Sequence, residues 1–223
     1  MSNLEQLAVL PADGLLADLG ISSHQIDEAS RGFSTRFDAG LDMRMDQRTS
    51  TTAQHIINNY SLTALVNVFS EYGEIRNSKQ LANTIEKARR VEQITSTQQL
   101  KKVLRTCFAP EKEHQYMACV FQALRIEVNQ ELEALKELLE QSPKVLREGG
   151  KLVVIAYHSL EDRMVKNMIN TGNVNGELHK DIYGNVIGKF YNAVTKKPIV
   201  PSAAEISSNP RSRSARLRVA ARI

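Results

Sequence analysis

The chain holds 223 residues, 42% of them hydrophobic and 24% charged, enough for one large domain or two small ones. No apolar stretch approaches the ~20 residues a bilayer crossing needs, and residues 1–3 lack the basic start of a secretory signal, so a cytoplasmic protein is expected. Cys107 and Cys119 stand twelve positions apart, which suits neither a zinc knuckle nor a redox pair, and a net charge of +4 permits a nucleic-acid partner without demanding one.

Residues 2–10 carry Leu4, Leu7 and Ala8 on one side of a short helix that stops at Pro11. Leu15, Leu16 and Ala17 follow, a run too short for a helix core and suited to a strand buried on both faces of a parallel sheet. The run ends at Asp18, then passes through Gly20 to the hydroxyls of Ser22 and Ser23. Ligands of open α/β sheets bind beyond the carboxyl ends of strands, and Asp18 stands at such an end. A carboxylate there also caps turns, so position alone leaves both roles open.

Residues 26–50 are polar and without period, with alternating Arg36, Asp38, Asp42, Arg44, Asp46 and Arg48. They read as an ordered loop tied by ion pairs. Residues 51–140 read as helical, with caps expected at Thr52 and Ser61, further helices opening at Ser78 and Thr97, and apolar faces through Ile56, Leu65, Leu81, Leu100 and Leu124. Residues 129–146 form a return helix, Leu132, Leu135, Leu138 and Leu139 inward and Glu131, Glu133, Glu137 and Glu140 toward water, ended by Glu148-Gly149-Gly150. Residues 152–156 (Leu-Val-Val-Ile-Ala) give a second buried strand, expected beside and parallel to the first. Ser159 with Asp162 opens another helix in a near capping box. Residues 171–197 hold four glycines and read as a surface excursion or hairpin. At the end, Leu217, Val219, Ala221 and Ile223 alternate with Arg216, Arg218 and Arg222, the period of a strand.

The stretch Asp-Gly-Leu-Leu-Ala-Asp-Leu-Gly-Ile-Ser-Ser-His-Gln, from Asp13 to Gln25, resembles the active-site strand of the bacterial MraW-type methyltransferases that modify the N4 atom of a cytosine in 16S ribosomal RNA. Further matches occur in the family's order: Arg31-Gly32-Phe33-Ser34, Leu41-Asp42-Met43-Arg44-Met45-Asp46, Tyr72-Gly73-Glu74, Phe121 to Ile126 with Val128-Asn129, Tyr157-His158-Ser159-Leu160-Glu161-Asp162-Arg163, and Asn209 to Ala215. The resemblance spans nearly the whole chain. It implies an α/β fold, an incomplete Rossmann-like class I methyltransferase sheet with an inserted all-helical domain. Residues 1–35 would be the first part of the sheet domain, 36–128 the helical substrate-recognition insertion, and 129–223 the remainder. It also implies that the final strand lies antiparallel beside the second.

Class I methyltransferases open with a strand and a glycine-rich loop that cradles S-adenosylmethionine. No such loop precedes Asp18, where ten or so residues stand against the ~30 that each βαβ unit needs. The chain therefore reads as the family's protein without its N-terminal cofactor-loop portion, with weak cofactor binding and doubtful activity on its own expected.

Cytosine N4 is a poor nucleophile because the ring shares its lone pair. Methylating it needs an acceptor for the N–H groups, and a strand-end carboxylate is suitable. Asp18 is the candidate catalytic residue, and the resemblance places Asp18 and Gln25 among the contacts to S-adenosylmethionine. Candidates for the substrate are Ser22, Ser23, Arg44, Arg125, Asn129, His158, Ser159, Arg211 and Arg213. Arg125 and Asn129 share a helical face and would reach RNA or brace the insertion against the sheet. His158 and Ser159 would wall a pocket for a flipped base, or simply cap a helix. Arg211 and Arg213 precede the last strand and suit phosphate, whereas Arg218 suits a strand neighbour. His55, His114 and His179 are scattered and show no metal spacing. The expected partner is 16S ribosomal RNA within the small ribosomal subunit, and the resemblance leaves room for a homodimer. The alternative is a catalytically inactive ribosome- or RNA-binding module that retains the helical insertion.

Overall fold

The computed structural model describes residues 10–184 and 187–223; the helix expected over residues 2–10 lies almost wholly outside them. The chain divides into two compact units, one of residues up to Gly20 with Leu132–Ile223, the other of Ile21–Glu131. The sequence boundaries at 36 and 128 differ from these because residues 21–35 pack on the helices after them, with Phe33 in their core.

The first unit carries a four-stranded mixed sheet. Strand β1 (Ala12–Asp18) runs parallel to β2 (Leu146–Ala156), β4 (Arg216–Arg222) lies antiparallel on the other side of β2, and the short β3 (Tyr191–Ala193) pairs antiparallel with β4. The parallel neighbours and the antiparallel last strand are as the apolar runs and the resemblance led us to expect. Helices α7 (Glu131–Val145) and α8 (Ser159–Thr171) supply Leu135, Leu139, Val165 and Met168 to a core that closes on Leu152, Val154, Tyr191 and Ala220. Each such side chain contributes about 1.5–3 kcal/mol, so this face dominates the unit's stability.

Two expectations change, and one feature of the last strand was left open by its sequence. β1 is not buried on both faces: it is an edge strand among the described residues, and Leu16 is 70% exposed. Glu148-Gly149-Gly150 does not end the helix but lies within β2. The ladder jumps there from Ala12 opposite Leu146 to Gly14 opposite Lys151, and a Cβ on Gly150 would fall 2.8 Å from the Arg147 carbonyl. In β4 the period of two holds, but the covered face is the arginine face. Arg216, Arg218 and Ala220 sit beside Ala156, Val154 and Leu152, the core-facing residues of β2. Alternation shows that a strand has two faces and not which one a helix covers.

The second unit is helical: α1 (Ser23–Asp27), α2 (Ala53–Asn59), α3 (Leu62–Asn67) running into a π turn (Val68–Tyr72), α4 (Ser78–Arg89), α5 (Thr97–Leu104) and α6 (Glu113–Asn129). Its core is separate, built on Leu41, Met43, Ile56, Ile57, Leu65, Phe69, Leu81, Ile85, Leu100 and Leu124. Thr52 and Ser61 cap α2 and α3, and Ser78 and Thr97 open α4 and α5, as expected; Ser96 caps α5, with Gln99 completing the box, and Asn77 precedes α4.

Candidate functional site

In the sheet unit the site is set by register. Asp18 is the last residue of β1, opposite Ile155, and the Leu19 amide carries the ladder on by donating to the Ile155 carbonyl at 3.0 Å. Partners across a ladder share a face, and so do residues two apart along a strand. Tyr157 therefore projects on the same side as Asp18. Its hydroxyl donates to Asp18 Oδ1 at 2.9 Å. Gly20, at φ 85°, turns the chain in the left-handed region that glycine allows, and a Cβ there would lie 3.8 Å from the Tyr157 ring. Burial, then the bond to Asp18 and its charge, pushes the Tyr157 hydroxyl up to about 12, so it stays protonated. The second carboxylate oxygen of Asp18 has no partner among the described residues.

His158, one residue on, points to the opposite, covered face. It rather than Ser159 is the N-cap of α8, and Glu161 rather than Asp162 closes the box. The buried Glu161 carboxylate accepts from the amides of Tyr157 at 2.9 Å and His158 at 3.3 Å. His158 Nε2 lies 3.2 Å from Glu161 Oε1, in ion-pair range whenever the ring is protonated. Asp162 is thereby released to bind Arg218 at 2.6 and 3.0 Å and Arg216 at 3.3 Å. Burial alone would raise this carboxyl, but the two guanidiniums outweigh it and hold it below its ordinary value.

A cleft of about 400 Å³ opens beside Tyr157, lined by His158, Ser159, Val200, Arg213, Ser214 and Arg216 among others. Arg211 and Arg213 lie on the 3-10 turn Pro210–Ser214 ahead of β4. The structure thus gathers Asp18, His158, Ser159 and Arg213 at one end of one sheet and adds Tyr157, Glu161 and Arg216. Tyr157 and Glu161 were missed from sequence; the shared parity of residues 155 and 157 points to the first only once the register of Asp18 with Ile155 is known.

The other candidates belong to the helical unit. Ser22 caps α1 and Gln25 returns the bond, each side chain satisfying the other's amide at 3.2 and 2.9 Å, while Ser23 opens the helix. Arg44 forks onto Asp42 at 2.8 Å and caps the carbonyls of Gln47 and Thr49; that bond is the main reason the Asp42 carboxyl sits below its ordinary value. Arg125 pairs with Glu131, expected to face water, at 2.8 Å with the side chains 16% and 9% exposed. Asn129 donates to the Met43 carbonyl at 2.8 Å and accepts from the Met45 amide at 2.6 Å, so its bracing is of the 43–45 loop and not of the sheet. Met43 holds φ 60° and is fully buried, a strained conformation kept by those bonds. Arg125 also lines a cleft of about 390 Å³ with Phe33, Arg36, His114 and Phe121.

The profile of the MraW methylase family matches residues 1–223. Among similar proteins, one from Bacteroides thetaiotaomicron is 53% identical over 208 residues, covering 93% of this chain and 68% of its own length. One from Amoebophilus asiaticus is 55% identical over 210 residues, covering 94% of this chain and 67% of its own length. One from Cytophaga hutchinsonii is 54% identical over 211 residues, with 94% and 70% covered. All three bear the name ribosomal RNA small subunit methyltransferase H.

Proposed function

The chain belongs to the MraW methylase family, and on that premise we propose that it methylates the N4 atom of a cytosine in the decoding region of 16S ribosomal RNA, drawing the methyl group from S-adenosylmethionine. The observation that carries this reading is Asp18: a solvent-facing carboxylate at the carboxyl end of a parallel strand, with one oxygen held and the other open. Such a group accepts an N–H from the exocyclic amine, localises its lone pair, and takes up the proton the amine must lose. S-adenosylmethionine, when bound, supplies an electrophilic methyl on a sulfonium centre. The residues present fit that cofactor class, since an anionic strand end favours a cationic ligand; Asp18 would hold it. No glycine-rich cradle stands among the described residues, and the similar proteins from the three organisms are longer.

In this reading the sheet unit is the catalytic half of a Rossmann-like class I fold, and Ile21–Glu131 is an inserted unit for substrate recognition. Ser159 and the 400 Å³ cleft beside Tyr157 wall the base that must leave its stack, whereas His158, turned to the covered face, caps α8. Arg211 and Arg213 take backbone phosphate, where a guanidinium fork matches two oxygens.

The test uses small-subunit particles lacking the modification, methyl-labelled S-adenosylmethionine, and the longer Bacteroides thetaiotaomicron relative as positive control. Nuclease digestion and mass spectrometry should find label on cytosine N4, and none with Asp18→Ala. Label on another atom would overturn the assignment. Transfer by the relative and none by this chain would confine the activity to the longer proteins.

A further inference from the structure

We propose that Tyr157 is a positioning residue for Asp18: its hydroxyl holds Oδ1 and so presents Oδ2 to the N–H of the base. This rests on the reading of Asp18 as the acceptor in methyl transfer. A carboxylate alone at an exposed strand end rotates about its last torsion, and both oxygens exchange among water partners. One directional donor removes that freedom, and an acceptor fixed beforehand need not reorganise as the amine changes shape.

The donor is itself held in place. Glu161, buried on the opposite face of the sheet, accepts the Tyr157 amide at 2.9 Å. Gly20, the residue two beyond Asp18, passes near the ring, where an added Cβ would make ordinary contact at 3.8 Å. The ladder bond from Leu19 to Ile155 sets the distance between the two strand ends. Because burial and the neighbouring carboxylate hold the hydroxyl up to about 12, it remains a donor through neutral and mildly alkaline pH. Tyr157 also lines the cleft with His158, Ser159 and Arg213.

Two measurements test the proposal on the 223-residue chain. The first needs no turnover. A difluorotyrosine placed at 157 makes the hydroxyl a stronger acid and gives it a fluorine resonance of its own. Its titration midpoint should fall by about one pH unit when Asp18→Asn is added, since the neighbouring negative charge is gone. Equal midpoints in the two backgrounds would overturn the pairing.

The second is steady-state methyl transfer to small-subunit particles. Tyr157→Phe keeps the ring and removes the donor. It should lower kcat about tenfold, as loss of a hydrogen bond to a charged group does, with KM for RNA and cofactor unchanged. The difluorotyrosine chain should show an alkaline loss of kcat that the parent lacks. Parent-like kcat and pH profile in both, while Asp18→Asn is dead, would sink the role of Tyr157 and leave that of Asp18 standing. Parent-like turnover in Asp18→Asn would instead sink the reading on which this one rests.

Discussion

In Ile21–Glu131 several long polar side chains turn inward onto their own unit. Asn129 grips the 43–45 loop from both sides, Arg31 donates to the carbonyls of Arg44 and Met45 at 2.7 and 3.1 Å, and Arg89 closes the last turn of α2 through the carbonyls of Ile57 and Tyr60. At the end of the sheet, Asp18 and Tyr157 bind one another and leave an oxygen facing water. Both sets look alike in a sequence, as polar residues at the ends of apolar runs. They differ in what their loss leaves behind: an unsatisfied interior backbone group in the first case, and a solvated gap in the second. The first should cost stability and the second activity.

The sharpest break of that contrast is Asp18→Asn. It should lower methyl transfer about a thousandfold, ~4 kcal/mol of barrier, and leave the melting curve where it was. A large fall in Tm would move Asp18 into the structural class. Asp162→Ala is the opposite case within the same unit. It strands Arg218, whose side chain is 11% exposed, and should destabilise by about 3 kcal/mol in urea unfolding. Asn129→Ala comes next, at about 2 kcal/mol, with the loss seen as faster amide exchange in the 43–45 loop.

Acid sharpens the same division. The Asp162 and Asp42 carboxyls both titrate below their ordinary 3.8 when folded. A depressed folded value means the stabilisation is complete above 3.8 and is lost as pH falls below it. Urea midpoints should therefore be flat with respect to these two groups above about pH 5 and decline below pH 4, and Asp162→Ala should flatten that decline. The smallest expected effect is that of Arg211→Ala with Arg213→Ala. It should reduce the salt slope of binding to small-subunit particles by about one to two units, and an unchanged slope would make these arginines structural.

Range in sequence decides how much of this was legible. Three of the four strands and the parallel pair were written in two short apolar runs and one alternating run, the antiparallel place of the last strand came from the resemblance, and the caps were written in hydroxyls beside apolar periods. The inward face of β4 was not, because only the presence of Asp162 on α8 makes an arginine face the covered one. The same helix start was misread by one residue, and that single step decides whether Asp162 closes a cap or binds Arg218. Tyr157 was missed because its partner lies 139 residues away, and only the ladder register brings them together. Glu131 was placed in water, being on the polar side of its own helix, whereas its partner Arg125 belongs to the helix before it.

The irregular start of β2 has a consequence for how this chain tolerates change in length. Between Leu146 and Lys151 the ladder already carries extra residues on one strand, with Gly149 at φ 76° absorbing the detour. A further residue gained or lost there alters the size of a bulge and nothing beyond it. From Lys151 onward the strand is in unbroken step with β1 as far as Ile155. One residue inserted between Lys151 and Tyr157 would reverse the parity of every later position on the strand, sending the Tyr157 hydroxyl under the sheet and the His158 ring out over Asp18. The same composition and the same number of apolar contacts would remain. In lineages of this protein, insertions and deletions should therefore be found on the early side of Lys151 and be absent on the late side. A library of single-residue insertions across residues 147–157, sorted for methyl transfer, should show that boundary as a step.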